Sequence, residues 1–174
     1  MLTRTQIKKL FSDLNEELAH QDIKGEIGIC GGAVMCLVFK SRVSTKDVDA
    51  IFVPTQAIRK ASEKVAKKNH LEKNWLNDAA KAYFHADPPK ETVLDHSHLR
   101  VWAPKAEYML AMKCIAARYD THDQDDVEYL IKYLELKAPK SVFKIIEKYY
   151  PHFHIPPKSQ FLIEELFEGK NENH

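Results

Sequence analysis

The sequence predicts an α+β fold, a small mixed β-sheet flanked by helices and followed by a helical C-terminal part. Three observations carry this. A helix-period stripe opens the chain. Two short apolar runs with strand character follow, each closed by glycine or proline and each leading into helical spacing. Beyond Pro104 only helical stretches remain, divided by prolines.

The first helix is set by Ile7, Leu10, Phe11, Leu14 and Leu18, which share one face at 3.6-residue spacing, and by Thr3 and Gln6 at the spacing of a capping box. "GEIGICGG" then reads as a strand over about 26–30 that ends in glycine and opens into a short helix over about 32–39. "KDVDAIFV" reads as a second strand, stopped by Pro54, and Ile58, Ala61 and Val65 mark a helix over 55–69. "NHLEKNWLNDAAKAYF" reads as a loop with a helix beginning near Asn77. After the Pro88–Pro89 break, "ETVLDHSHLRVWAP" reads as two strands around a polar turn, with Val93, Leu94, Leu99 and Val101 as core positions. Helices are expected over about 104–119, 123–136, 139–149 and 159–168, ahead of a polar, frayed tail. Two regions result, an α/β core over 1–103 and a helical region over 104–174 packed on it as one compact unit.

A chain of 174 residues is long enough to bury a core, and 29% charged residues beside 44% hydrophobic ones exclude wholesale disorder. A net charge of +1 excludes a global field of either sign as the basis of partner choice. No apolar run reaches the roughly 18 residues of a membrane span, and "MLTRTQIKKLF" does not read as a secretory signal. Cys30, Cys36 and Cys114 lie in apolar segments without metal-ligand spacing, as expected of reduced, buried thiols in a cytoplasmic protein.

The chemistry concentrates in "GICGGAVMCLVFKSRVSTKDVDAIF". In a strand, residues two apart project to the same side, about 7 Å apart, so Asp47 and Asp49 point together while Val48, Ala50 and Phe52 face the core. Two carboxylates so close repel unless a cation lies between them, and a divalent ion with oxygen ligands fits; solvated aspartates at a strand end are the plainer alternative. Gly31-Gly32, at the end of the preceding strand, lets backbone approach an anion, or forms an ordinary tight turn. Together the two features describe a phosphate cradle beside a metal pair.

This stretch, with the later "WLNDAAKAYF" and "APKAEYMLAMKCIAARYDTHDQDDVEYL", resembles the nucleotidyltransferase superfamily, whose fold is shared with DNA polymerase beta. It is most similar to a bacterial branch akin to minimal and toxin–antitoxin nucleotidyltransferases. The resemblance covers nearly the whole chain to about residue 136. It implies that Asp47 and Asp49 bind Mg²⁺ (or Mn²⁺) and position a nucleoside triphosphate for in-line attack at its α-phosphorus, with pyrophosphate leaving. Gly31 and Gly32 would seat phosphates. The acceptor would be an RNA end, a protein hydroxyl or a small molecule, with a toxin–antitoxin partner protein as a further implication. Active members usually supply a third carboxylate from a neighbouring strand. "LRVWA" has none, which leaves Asp95, just before it, and Asp78 as candidates. A catalytically silent module that binds nucleotide, RNA or a partner protein is the alternative.

Around this centre, Ser44 and Thr45 offer hydroxyls either to phosphate or to the aspartates, or simply form a polar strand entry. Lys113, on an otherwise apolar helix, either reaches a phosphate or snorkels to solvent. Asp123, Asp125 and Asp126 suit a helix start, with Asp126 tying two C-terminal helices together and Arg118 as a pairing partner. His96 with His98, and His152 with His154, would bind zinc only if further ligands converged. The segment from Arg59 to Lys73 carries six basic residues against Glu63 and Glu72, either a solvated face or one that tracks an RNA backbone.

Overall fold

A computed structural model describes residues 1–116 and 121–171. The described residues form an α+β structure with a five-stranded mixed sheet, a two-stranded ladder and seven α-helices. The expected end of the first C-terminal helix (117–119), Arg118 and the tail beyond 171 lie outside the described residues.

The chain divides into two compact units, and the division is discontinuous. The first comprises Met1–Ala82 and Lys90–Pro104; the second takes Tyr83–Pro89 together with the chain from Lys105 onward. A cut at 103/104 therefore places the main boundary one residue early and assigns residues 83–89 to the other unit.

In the first unit, helix α1 (Arg4–Ala19) starts as the sequence requires. Thr3 Oγ1 accepts from the Gln6 amide at 3.3 Å, and Gln6 Oε1 accepts from the Thr3 amide at 2.8 Å. Its stripe of Ile7, Leu10, Phe11, Leu14 and Leu18 is fully buried. Strand β2 (Gly25–Ile29) runs into α2 (Gly31–Leu37), and β4 (Val48–Val53) into α3 (Thr55–Lys68). Two-residue strands β1 (Leu2–Thr3) and β3 (Ser44–Thr45) pair antiparallel, and β5 (Leu76–Asn77) joins β4. The helix expected from Asn77 is a single 3₁₀ segment over Ala79–Tyr83. Strands β6 (Lys90–Asp95) and β7 (Leu99–Pro104) form the expected hairpin.

The sheet order is β5-β4-β2-β7-β6, with β2 antiparallel to β4 and parallel to β7. Period-two alternation separates its faces. Val48, Ala50, Ile27, Ile29, Leu99, Val101 and Ala103 are buried. A Cβ placed on Gly25, on this side, would meet Leu18 of α1 and Ile58 of α3, so this face packs on those helices. Asp49, Ile51 and Val53 project from the other face, where the Trp102 indole covers Gly28 and leaves no room for a Cβ. Lys90 Nζ stands 4.7 Å from the Trp102 ring centroid. The expected pair Val93 and Leu94 is only half-buried, because a bulge between Thr92 and Leu94 breaks the alternation there.

The second unit packs α4 (Ala106–Ala116) against α5 (Thr121–Tyr133) and α6 (Pro139–Tyr149), with α7 (Pro157–Asn171) against α6. Residues 83–89 are bound into it. Tyr108 Oη accepts from the His85 amide at 2.9 Å, and the Tyr150 hydroxyl donates to the Tyr83 carbonyl. None of the three cysteines is in a disulfide and all are buried, and burial pushes the Cys114 thiol up to about 12. No helix among the described residues is long and apolar enough to cross a membrane.

Candidate functional site

The site is assembled where β2 ends and β4 begins. The ladder between these strands closes with the Cys30 amide donating to the Asp49 carbonyl at 2.9 Å. This rung places Asp49 directly beside the glycine turn. Gly31 has a φ of +59°, a left-handed conformation that glycine adopts without the penalty of a side chain. A Cβ there would stand 3.3 Å from Asp49 Oδ2. The Asp49 carboxylate therefore lies against bare backbone, at the point where the chain turns into α2.

Gly32 is confined for a different reason. A Cβ there would come within 2.5 Å of Thr45 Oγ1 and 3.2 Å of Arg42 Nη1. Thr45 is itself buried and donates to the Asp47 carbonyl at 3.2 Å. Beyond Asp47, the Val48 amide donates to the Trp75 carbonyl at 2.7 Å. The backbone of Asp47 is thus held on both sides, although Asp47 precedes the ladder of β4 rather than lying within it. Both aspartates are half-buried. The Arg42 guanidinium beside Gly32 brings positive charge to the turn.

Of the residues the sequence singled out, the structure gathers Gly31, Gly32 and Asp49, with Asp47 two residues away. Ser44 lies opposite Thr3 in the β1–β3 ladder, and its neighbour Thr45 supplies the hydroxyl at the turn. Asp78 is bound to Arg59 at 2.6 Å. Asp95 stands across from Arg100, which is level with Glu26 near the entry end of β2, whereas Asp49 is level with Cys30 at its exit; β2 and β7 also separate the two acids. The register thus carries Asp95 away from Asp49. Among the described residues no group of three His, Cys, Asp or Glu side chains converges as a metal site. The histidine pairs gather no such cluster: His98 contacts Ser97 and Asp22, and His152 and His154 are exposed.

Lys113 belongs to the helical unit. Its Nζ lies 2.9 Å from Asp123 Oδ1 and 2.7 Å from Asp126 Oδ2, and Asp126 is buried. Asp126 therefore ties α4 to α5, as its position at the start of the second helix suggests. Sequence reasoning passed over Asn77, which lies directly beside Asp49 in the parallel β4–β5 register. Its only local signal is its place within "WLND", since strand pairing decides its neighbour.

Comparison of the chain with models of known families, with curated proteins and with solved structures yields no match.

Proposed function

We propose that this chain is a Mg²⁺-dependent nucleotidyltransferase that moves a nucleoside monophosphate from a nucleoside triphosphate to an acceptor hydroxyl. One observation carries the reading: the Asp49 carboxylate lies against the bare backbone of Gly31. A triphosphate seated on that turn would bring its phosphate oxygens beside the acid. The donor set suits Mg²⁺ or Mn²⁺, hard cations that accept one or two carboxylates and complete their shell with water and substrate phosphate. When bound, such an ion neutralises charge that develops on the transferring and leaving phosphates.

The chain's own residues orient the reactants. Asp47 and Asp49 hold the cation, Thr45 braces the backbone of Asp47, and Gly31 and Gly32 admit the phosphates. Arg42 supplies a fork suited to a phosphate oxygen pair. Lys113 has no part in this proposal, because two carboxylates already hold it. The acceptor class, whether RNA end, protein hydroxyl or small molecule, and any toxin–antitoxin pairing rest on the resemblance. The three buried thiols agree with a reducing compartment.

The test is isothermal titration of each nucleoside triphosphate with and without MgCl₂, paired with transfer from α-labelled triphosphate. Binding that requires the metal and falls at least about tenfold in both Asp47→Ala and Asp49→Ala is expected, a loss of about 1.4 kcal/mol. Unchanged binding in the two variants would overturn the assignment. The placement of Asp78 and Asp95 favours a second reading, a silent module that binds nucleotide without transfer. Metal-dependent binding with no transfer to RNA, protein or small-molecule hydroxyls would select it.

A further inference from the structure

Helix α3 shows the sheet one face and solvent another. Ile58, Ala61 and Val65 are buried against the core, and the other side opens into a groove of about 590 Å³. Lys60, Glu63, Lys64, Lys67 and Lys73 line it, over a floor of Ala66 and Leu71. Four cations against one acid give the groove a local charge of +3, on a chain whose net charge is +1.

These lysines differ from the basic residues around them. Arg59 is taken by Asp78, and Lys68 by Asp13 and Glu16. Lys64 reaches Glu17 at 3.4 Å, an exposed pair of the kind that contributes little. Among the described residues no ion pair holds Lys60, Lys67 or Lys73, although Glu63 shares their groove. Lys60, Lys64 and Lys67 follow i, i+4, i+7 spacing, which puts them on one stripe at axial steps of about 6 and 4.5 Å. His70, in the left-handed region at φ 55°, turns the chain beyond the helix so that Lys73 joins the same groove.

We infer that the α3 groove binds the phosphate backbone of a base-paired nucleic-acid stem without reading its sequence. No aromatic side chain lines it, so it lacks the stacking platform that single-strand binders use. It also lacks the apolar face by which basic helices enter membranes, because the apolar side of α3 is spent on the core and the large exposed hydrophobics Val43 and Val53 lie outside it. Helix α3 packs against β4, and two residues, Asn74 and Trp75, separate Lys73 from Leu76, which pairs with Val48. The binding surface stands on its own geometry; its further meaning, that the acceptor is an RNA, rests on the proposed nucleotidyltransferase reading.

Fluorescence anisotropy of the full chain with labelled RNA hairpins of unrelated stem sequences tests this. Three phosphate contacts give a salt slope of about −2.7, so affinity should fall about 40-fold between 50 and 200 mM salt, alike for every stem. The exposed triple variant Lys60→Glu/Lys67→Glu/Lys73→Glu should abolish binding at 50 mM, while Lys140→Glu/Lys144→Glu on α6, with the same thermal midpoint as control, should retain it. Asp49→Asn should bind hairpins like the parent, which separates this surface from the fate of the transfer reaction. The inference is overturned if the parent fails to bind hairpins at 50 mM, if the triple variant binds like the parent, or if vesicles rich in phosphatidylserine are bound more tightly with the same sensitivity to the triple variant.

Discussion

Replacing Gly31 by alanine tests the centre of the site with a single methyl group. An L-residue held at φ +59° costs about 1–2 kcal/mol. The added Cβ would stand 3.3 Å from Asp49 Oδ2, tighter than ordinary contact, so the carboxylate must move by a few tenths of an ångström. Two results follow together: lower stability, read as a shift in the urea midpoint at unchanged slope, and weaker metal-dependent triphosphate binding, because a metal ligand is displaced. Gly169 provides an internal reference of opposite sign. It lies in α7, and an added methyl would have nothing within 4 Å, so Gly169→Ala should stabilise by up to about 1 kcal/mol. If Gly31→Ala matched the parent in both stability and binding, the left-handed turn and its apposition to Asp49 would both be refuted.

Two further outcomes are expected. Burial raises the Asp13 pKa, but hydrogen bonds from Lys9, Asn69 and Lys68 outweigh it and hold the carboxyl below its usual range. A depressed folded-state pKa gives stability that is present above the unfolded value, about 3.9, and lost as pH falls through the folded one. The stability gap between the parent and Asp13→Asn, measured by urea unfolding, should therefore be open at pH 7 and close on acidification below pH 4; a gap independent of pH would contradict this. In the helical unit, Lys113→Met removes the cation 2.7 Å from the buried Asp126 and should cost about 3–5 kcal/mol, whereas Lys113→Met/Asp126→Leu should recover part of that loss. Equal stability of the single variant and the parent would show that the pair does not tie α4 to α5.

Much of the architecture was legible because it is locally encoded. The capping box and stripe of α1, the alternation of Val48, Ala50 and Phe52, and the proline breaks between the C-terminal helices all act within a few residues of themselves. The pairing of β1 with β3 was not legible, since two-residue strands have no period and Leu2 meets Thr45 only through the fold. Strand β5 escaped for the same reason, and with it Asn77. Asp95 lies close to a strand in sequence, but distance from the site is set by register, which depends on two intervening strands. Lys113 illustrates a different limit: an isolated cation on an apolar stripe implies a buried anion, yet nothing in the stripe says whether a ligand or the next helix supplies it.

The excursion of residues 83–89 into the helical unit has a consequence for how the gene can be cut. A fragment starting at Lys105 would leave the Tyr108 hydroxyl without the His85 backbone and the Tyr150 hydroxyl without the Tyr83 carbonyl. A fragment ending at Ala82 would lose the two strands that complete the sheet beyond β2. Neither half is a cassette that a single crossover could transplant whole.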